Sequence, residues 1–549
     1  MTKPKNILFI MFDQLRWDYL SCTGHPHLKT PHIDALAAEG VLFSRTYVQS
    51  PICGASRMSF YTGRYSHSHG ATWNRVPLKV GELTLGDHLR DAGMSCWLVG
   101  KTHMKADDEG MSRLGISRDT EIGLRVEQCG FDVWERDDGM RPEGPDGFYD
   151  DQGAETYNAY LRERGYDSAN PWHDFANSAR ADDDPTELAS GWFMKNARKA
   201  AMVENDDSET PYMTTRAMEF MDQAGDDPWC LHLSYIKPHW PYIAPAPYND
   251  MYGPEHVIPV ARHPREQEEC HPVFKTFMDG RIGKAFSREE VREAVIPAYM
   301  GLIKQCDDQM GRLFAWLKET GRWDDTMIVL TSDHGDYLGD HWMGEKDLFH
   351  EPSVKVPLIV RDPSSEADKT RGTVCDALVE SLDLAATFVD VAGGEARPHI
   401  LEGRSLVPWL RGETPEWRDF VVSEYDYSTR PDAVKLVSRL SDARLFMIAD
   451  KRWKFMHAES LRCQLFDMEN DPHEYVDLWD SPDHKDIIDL MYDRLATWAR
   501  RLSQRTTKSD TQIIKERKYS PRRGINLGLY DEDDLSGELT QFYRGKLRT

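Results

Sequence analysis

The stretch NILFIMFDQ, Asn6 to Gln14, sets six apolar side chains in succession, Ile7 to Phe12, and then an acid and an amide. An unbroken apolar run this short reads as a strand buried on both faces, the kind found in the middle of a parallel sheet. The same texture returns at Ser95–Val99, Trp229–Tyr235, Thr326–Leu330 and Val356–Val360, with helical patterns between. That alternation predicts an α/β unit over residues 1–391, a large, mixed, mostly parallel sheet sandwiched by helices. Within it, apolar residues at three and four spacing predict a helix from Ser287 to Glu319, which Pro297 is expected to kink or break.

The texture changes near Ala392. The run AGGEARP reads as a linker, and residues 392–505 as a smaller α+β domain: antiparallel strands at Phe420–Tyr425, Phe446–Ile448 and Arg452–Phe455, then a helix from His484 to Arg501. Residues 506–549 are mixed in charge, with few core candidates beyond Leu527–Tyr530 and Phe542. They read either as a solvated tail or as an arm that wraps a second subunit of a homo-oligomer, a dimer or tetramer.

The chain has 549 residues, 40% hydrophobic and 29% charged, with a formal charge of −25. That balance speaks against a nucleic-acid partner. No window approaches the roughly 18 apolar residues of a membrane span, so no membrane partner is expected. The opening MTKPKNILFIMFD is too short in apolar length for a secretory signal, which places the protein in the cytoplasm. Nine scattered cysteines without a C-x-x-C pair suggest reduced thiols.

In an open α/β sheet the ligand site lies beyond the carboxyl ends of the strands. Here those ends carry Asp13-Gln14, Lys101-Thr102-His103, Lys237-Pro238-His239 and Asp333-His334-Gly335-Asp336. Each alone is more often a cap or turn residue; four at equivalent positions are not explained that way. Asp13, Gln14, Asp333 and His334 make an oxygen-rich set with one imidazole, suited to calcium, magnesium or manganese and poorly to zinc. Arg57, Lys101, His103, His239 and Lys346 would hold an anion beside that cation, the pattern for transfer of a tetrahedral, negatively charged group. The pairs His25/His27 and His67/His69 read as loop and helix-end residues, and the acidic run from Ala181 as a solvated loop.

In SPICGASRMSFYTGRY, Ser50 to Tyr65, a proline–glycine turn leads into a helix whose N-terminus would face an anion. A thiolate at Cys53 is one nucleophile for that place, but a soft sulfur suits a hard cation poorly. The stretch Cys53-Gly54-Ala55-Ser56-Arg57 with Thr62-Gly63-Arg64 resembles the sulfatase signature, whose cysteine is oxidised to formylglycine. Phe12-Asp13-Gln14, TPHIDALAAEGVLF (Thr30–Phe43), GKTH (Gly100–His103), KPHWPY (Lys237–Tyr242), SDHGDYLGDH (Ser332–His341) and LFDMENDPHE (Leu465–Glu474) extend the resemblance over most of the chain. The sequence is therefore identified as similar to the type I sulfatases of the alkaline phosphatase superfamily, which include arylsulfatases, choline sulfatases and phosphonate monoester hydrolases.

The resemblance implies an alkaline phosphatase-like fold and hydrolysis of small anionic esters, aryl sulfates first. It implies one divalent cation, calcium with manganese as the alternative, bound by Asp13, Gln14, Asp333, His334 and the modified Cys53, and a maturation enzyme to make formylglycine. Arg57 would hold the formylglycine hydrate, Lys101 and Lys346 the sulfate oxygens, and Asn74 would add a hydrogen bond to the sulfate. His103 would take a proton from the diol, and His239, alone or with Lys346, would assist the leaving oxygen. Two departures bear on the substrate: Gln14 stands where many members carry an acid, and His334 where many carry Asn, a histidine there resembling the choline sulfatases and the phosphonate monoester hydrolases. Lys101 and His103 lean toward sulfate, since hydroxyl side chains hold that place in the phosphonate hydrolase pattern. A two-metal phosphatase would need an Asp and a His one helical turn apart, and no D-x-x-x-H lies between Cys53 and Asp333. A non-catalytic binding protein would keep the fold without the chemistry. The organic half of the substrate would sit against the insertion from about Met111 to Pro211.

Overall fold

The computed structural model describes residues 4–139, 155–184, 186–517 and 533. Eight strands form the main sheet: β1 (Asn6–Asp13), β2 (Val41–Tyr47), β3 (Ser95–Gly100), β4 (Asp132–Arg136), β5 (Trp229–Pro238), β6 (Thr326–Ser332), β7 (Lys355–Arg361) and β8 (Thr373–Glu380). Their order is β8-β2-β7-β6-β1-β5-β3-β4. Only the pairings of β7, with β6 and with β2, are antiparallel. β1 lies between β5 and β6, and its apolar run is divided between the faces. Ile7, Phe9 and Met11 join one core, and Leu8, Ile10 and Phe12 the other. A helix, α1 (Cys53–Thr62), packs on the first face through Ala55, Met58 and Phe60. The long α2 (Glu289–Glu319) covers the second through Val295, Tyr299, Ile303 and Met310.

Three of the strands, β2, β4 and β8, go beyond the sequence reading. Pro297 neither breaks nor ends α2, which is continuous across it. The carbonyl that the proline leaves without a donor belongs to Glu293, an exposed residue. Among the described residues no helix is long and apolar enough to cross a membrane.

A second, antiparallel sheet runs β9 (Val421–Asp426), β10 (Arg444–Ala449), β11 (Trp453–Ala458) and β12 (Gln464–Asp467), in that order. Helix α3 (Lys485–Ala499) packs on it through Met491, Leu495 and Trp498. Of the tail, residues 510–517 form an exposed helix; Leu527–Tyr530 and Phe542 lie outside the described residues.

A buried ammonium ties the two sheets together. Lys454 of β11 has no exposed surface, and its Nζ donates to Phe349 O at 3.1 Å and pairs with Glu351 and Glu474, each at 2.8 Å. Removing one member of a buried ion cluster strands the others. Lys454→Met is expected to cost about 3–5 kcal/mol of stability, read as a lowered urea midpoint at unchanged slope.

Candidate active site

Asp13 ends β1 where its pairing with β5 shifts register, and Gln14 follows with φ +68°. Tyr299 of α2 holds that turn: its hydroxyl donates to Gln14 O at 2.7 Å and accepts from Arg16 N at 2.9 Å. β6 ends beside it, and Asp333 Oδ1 accepts the Gln14 N–H at 3.1 Å. At the end of β3, Gly100 has φ +108°, and a Cβ there would lie 1.9 Å from Ser234 O. The turn that follows is cradled by Asp138, whose Oδ1 accepts from Thr102 N and His103 N at 2.8 and 3.0 Å.

Cys53 is the first residue of α1 and is 1% exposed. Its Sγ lies 3.1 Å from His334 Nε2, and with Asp13 and Asp333 these side chains place four ligand atoms within 4.8 Å of one another. Behind them Arg57, one turn along α1, is wholly buried. Its guanidinium bonds Asp333 Oδ2 at 2.8 Å, Asp13 Oδ2 at 3.2 Å, Ser234 Oγ at 2.7 Å and Lys101 O at 2.9 Å. Lys101 Nζ pairs with Asp13 Oδ2 at 2.6 Å. Lys346 Nζ donates to Gln14 Oε1 at 3.1 Å and to His239 Nε2 at 3.0 Å. His239 Nδ1 therefore carries the proton, directed at Trp240 O at 2.6 Å. Asn74 lies against the residue after Cys53: its Oδ1 accepts the Gly54 N–H at 2.7 Å, so its carbonyl braces the start of α1. A Cβ on Gly54 would come within 2.8 Å of that oxygen.

The electrostatics follow from burial among charges. Burial alone would push the Cys53 thiol up, but Lys346, His334 and Lys101 hold it well below its ordinary value. Asp13, equally buried, is held low chiefly by Lys101. Asp333 is raised by burial despite Arg57. Burial works against charge on His334, yet Asp333 and Cys53 lift it to about 9. Burial and then Lys346 drive His239 down to about 3, so it is neutral. The second cluster of possible ligands, His32, Asp307 and Asp308, is structural. Lys304 bonds both acids, and Asp307 Oδ1 accepts the N–H groups of His32 and Ile33. His25 and His69 likewise accept neighbouring backbone N–H groups.

The residues fit a divalent cation on one direct observation. Asp13 Oδ1 is buried and has no hydrogen-bond partner, and it faces His334 Nε2 at 3.8 Å. Two carboxylates, an imidazole and an adjacent amide oxygen form a donor set for a hard to borderline ion.

A sequence profile of the sulfatase family matches residues 5–125 and 136–394. The chain belongs to the sulfatase family. A second profile, described as the C-terminal region of N-sulphoglucosamine sulphohydrolase, matches residues 339–501. The multifunctional alkaline phosphatase superfamily protein PehA of Trinickia caryophylli is 31% identical over 91% of this chain and 96% of its own. An arylsulfatase of Clostridium perfringens is 27% identical over 89% and 93%. Among solved structures, the phosphonate monoester hydrolase of Silicibacter pomeroyi superposes with TM-score 0.76 at 29% identity, over 90% of this chain and 94% of that one. The sheet of this sulfatase thus brings Asp13, Gln14, Cys53, Arg57, Lys101, His239, Asp333, His334 and Lys346 into one cluster. Ser234, Asp138, Tyr242 and Tyr299 complete it without having been singled out in the sequence. Of these only Tyr242, inside KPHWPY, lay in a quoted motif.

Beneath α1, His69 and His232 are neutral, each driven to about 3 by burial and then by a nearby arginine. Unfolded histidine titrates near 6.5. From pH 6.5 down to about 3 the unfolded chain binds protons that the folded chain refuses. Each of the two thus lowers stability on acidification by up to about 1.4 kcal/mol per pH unit. His69→Gln is expected to flatten the fall of Tm between about pH 6.5 and 5 relative to wild type, measured by calorimetry.

Proposed function

We propose that this sulfatase hydrolyses sulfate monoesters, aryl sulfates first, with residue 53 as nucleophile after a maturation enzyme has oxidised Cys53 to formylglycine. The observation that carries the reading is the placement of two ammoniums, Lys101 and Lys346, and two histidines, His103 and His239, around a buried Cys53 at a helix N-terminus. Formylglycine hydrate supplies a hard oxygen nucleophile, and the cation held by Asp13, Gln14, Asp333 and His334 supplies a Lewis acid beside it. Cys53 Sγ stands where that oxygen would be. Arg57, locked by four hydrogen bonds, fixes the carboxylates of Asp13 and Asp333 rather than moving with the reaction.

Lys101 and Lys346 offer N–H donors to non-bridging sulfate oxygens, whose charge the surrounding cations favour. His103 has a buried, unpartnered Nδ1, so it is equipped to hold a proton taken from residue 53. His239 is neutral with Nε2 as an acceptor, which makes it the orienting partner of Lys346. The pair of His239 and Lys346 is then the group placed to assist the leaving oxygen.

A second reading, hydrolysis of phosphonate monoesters or phosphodiesters on the same site, is supported by His334 in the ligand set. The likeness to the Silicibacter phosphonate monoester hydrolase supports it as well. Matured, metal-saturated enzyme is expected to give a higher kcat/KM for an aryl sulfate than for the matched aryl phosphonate monoester. The reverse order would assign the site to phosphonates. In the same preparation a peptide covering Cys53 should carry the formylglycine mass, and full activity with only unmodified thiol would remove the nucleophile from both readings.

A further inference from the structure

The Gln14 side chain is held from behind by two groups to which neither reading gives a role. Gln14 Nε2 donates to Asp336 Oδ2 at 2.5 Å and to the Tyr242 hydroxyl at 3.0 Å. The Tyr242 hydroxyl donates to the same Asp336 Oδ2 at 2.6 Å, and Asp336 Oδ1 accepts the Leu338 N–H at 2.9 Å. All three side chains are buried, Gln14 and Asp336 with no exposed surface. The ends of an amide differ, one a double donor and the other an acceptor. A carboxylate and a tyrosine oxygen whose proton is already spent can receive only the NH2 end. The carbonyl end must then face the opposite way, where it meets Lys346 Nζ.

We propose that Asp336 and Tyr242 are positioning residues that turn the Gln14 carbonyl oxygen toward the cation site and so make position 14 a neutral ligand. The pairing also explains why position 14 is not an acid here: a carboxylate at that place would stand against the carboxylate of Asp336, at a separation where two like charges are not both tolerated. The ligand set keeps two carboxylates, Asp13 and Asp333, both already tied to Arg57. Outer partners that orient a ligand atom in this way typically contribute about 10–100-fold to metal affinity.

The inference rests on the reading that Gln14 belongs to the ligand set, and the test separates the two. Metal-stripped full-length protein is titrated with Mn2+ and with Ca2+ by calorimetry in wild type, Asp336→Asn, Tyr242→Phe, Gln14→Ala and Gln14→Ala/Asp336→Asn. An asparagine introduced in place of Asp336 can offer its own NH2 to the glutamine amide and release it to flip. Asp336→Asn is therefore expected to weaken binding by about tenfold or more where Gln14 is present. In the Gln14→Ala background the same change should be within about twofold. Tyr242→Phe should weaken binding in the same direction, and it decides the matter if the metal-free Asp336→Asn protein has lost its melting transition. An equal loss in both backgrounds would mean that Asp336 acts through its own charge and overturns the proposal, as would wild-type affinity in both Asp336→Asn and Tyr242→Phe. Wild-type affinity in Gln14→Ala would remove Gln14 from the ligand set, and a wild-type protein that binds neither ion would overturn the cation site itself.

Discussion

The site depends on one buried guanidinium. Arg57 reaches from α1 to four different segments: Asp13 at the end of β1, Lys101 after β3, Ser234 in β5 and Asp333 after β6. A charge with no exposed surface is tolerated only when its donors are met by good acceptors. Two carboxylates, a hydroxyl and a carbonyl do that here, and in being held they are brought to a common point. Because α1 begins only one turn earlier, the same contact fixes where Cys53 stands. The helix, the sheet and the nucleophile are thus positioned together rather than separately.

Charge balance explains why the cluster is stable and still receptive. Asp13 and Asp333 are matched by Arg57 and Lys101, while Lys346 is shared between two neutral acceptors, Gln14 Oε1 and His239 Nε2. An acid at position 14 would spend that ammonium on a carboxylate; an amide leaves its charge available to an anion. The overall charge of −25 is therefore no obstacle to an anionic substrate, since the local field is set by cations a few ångströms away in a dry site.

Much of this was legible in the sequence, for identifiable reasons. The five strands read from it are short, mostly apolar runs that are buried over most of their length. β2, β4 and β8 were not read: β2 carries Ser44 and Arg45, and β4 and β8 lie at the edges of the sheet, where polar residues such as Asp132, Thr373 and Asp376 break the run. The strand-end acids and cations were legible because position in the fold concentrates function there. Asp138, Ser234 and Tyr242 were not, because a polar residue becomes a brace only through a partner distant in sequence, and Tyr242 meets Asp336 across 94 positions. Whether α2 would break at Pro297 or carry it within one helix was not legible, because that outcome is a property of the packed helix.

The second sheet is part of the site rather than an appendage to it. Between β6 and β7 the chain carries Asp333, His334 and Lys346, and there Leu338, His341, Trp342, Glu345, Asp347 and Leu348 all adopt positive φ. Such conformations are costly for side chains with a Cβ and persist only where surrounding contacts over-determine them. Around residues 338–342 those contacts come from Arg16 and residues 261–266, and from Asp347 onward they come from beyond β8. Tyr425 and Arg430 bond the Asp347 carboxylate at 2.7 and 2.6 Å, next to Lys346, and Lys454 holds Phe349 O and Glu351. Arg430 also lies over the ring of Trp73, the neighbour of Asn74, which braces the start of α1. The strain that aims Lys346 at the nucleophile is thus offset from the C-terminal sheet, so loosening that sheet would disturb the chemistry without touching any residue that meets the substrate.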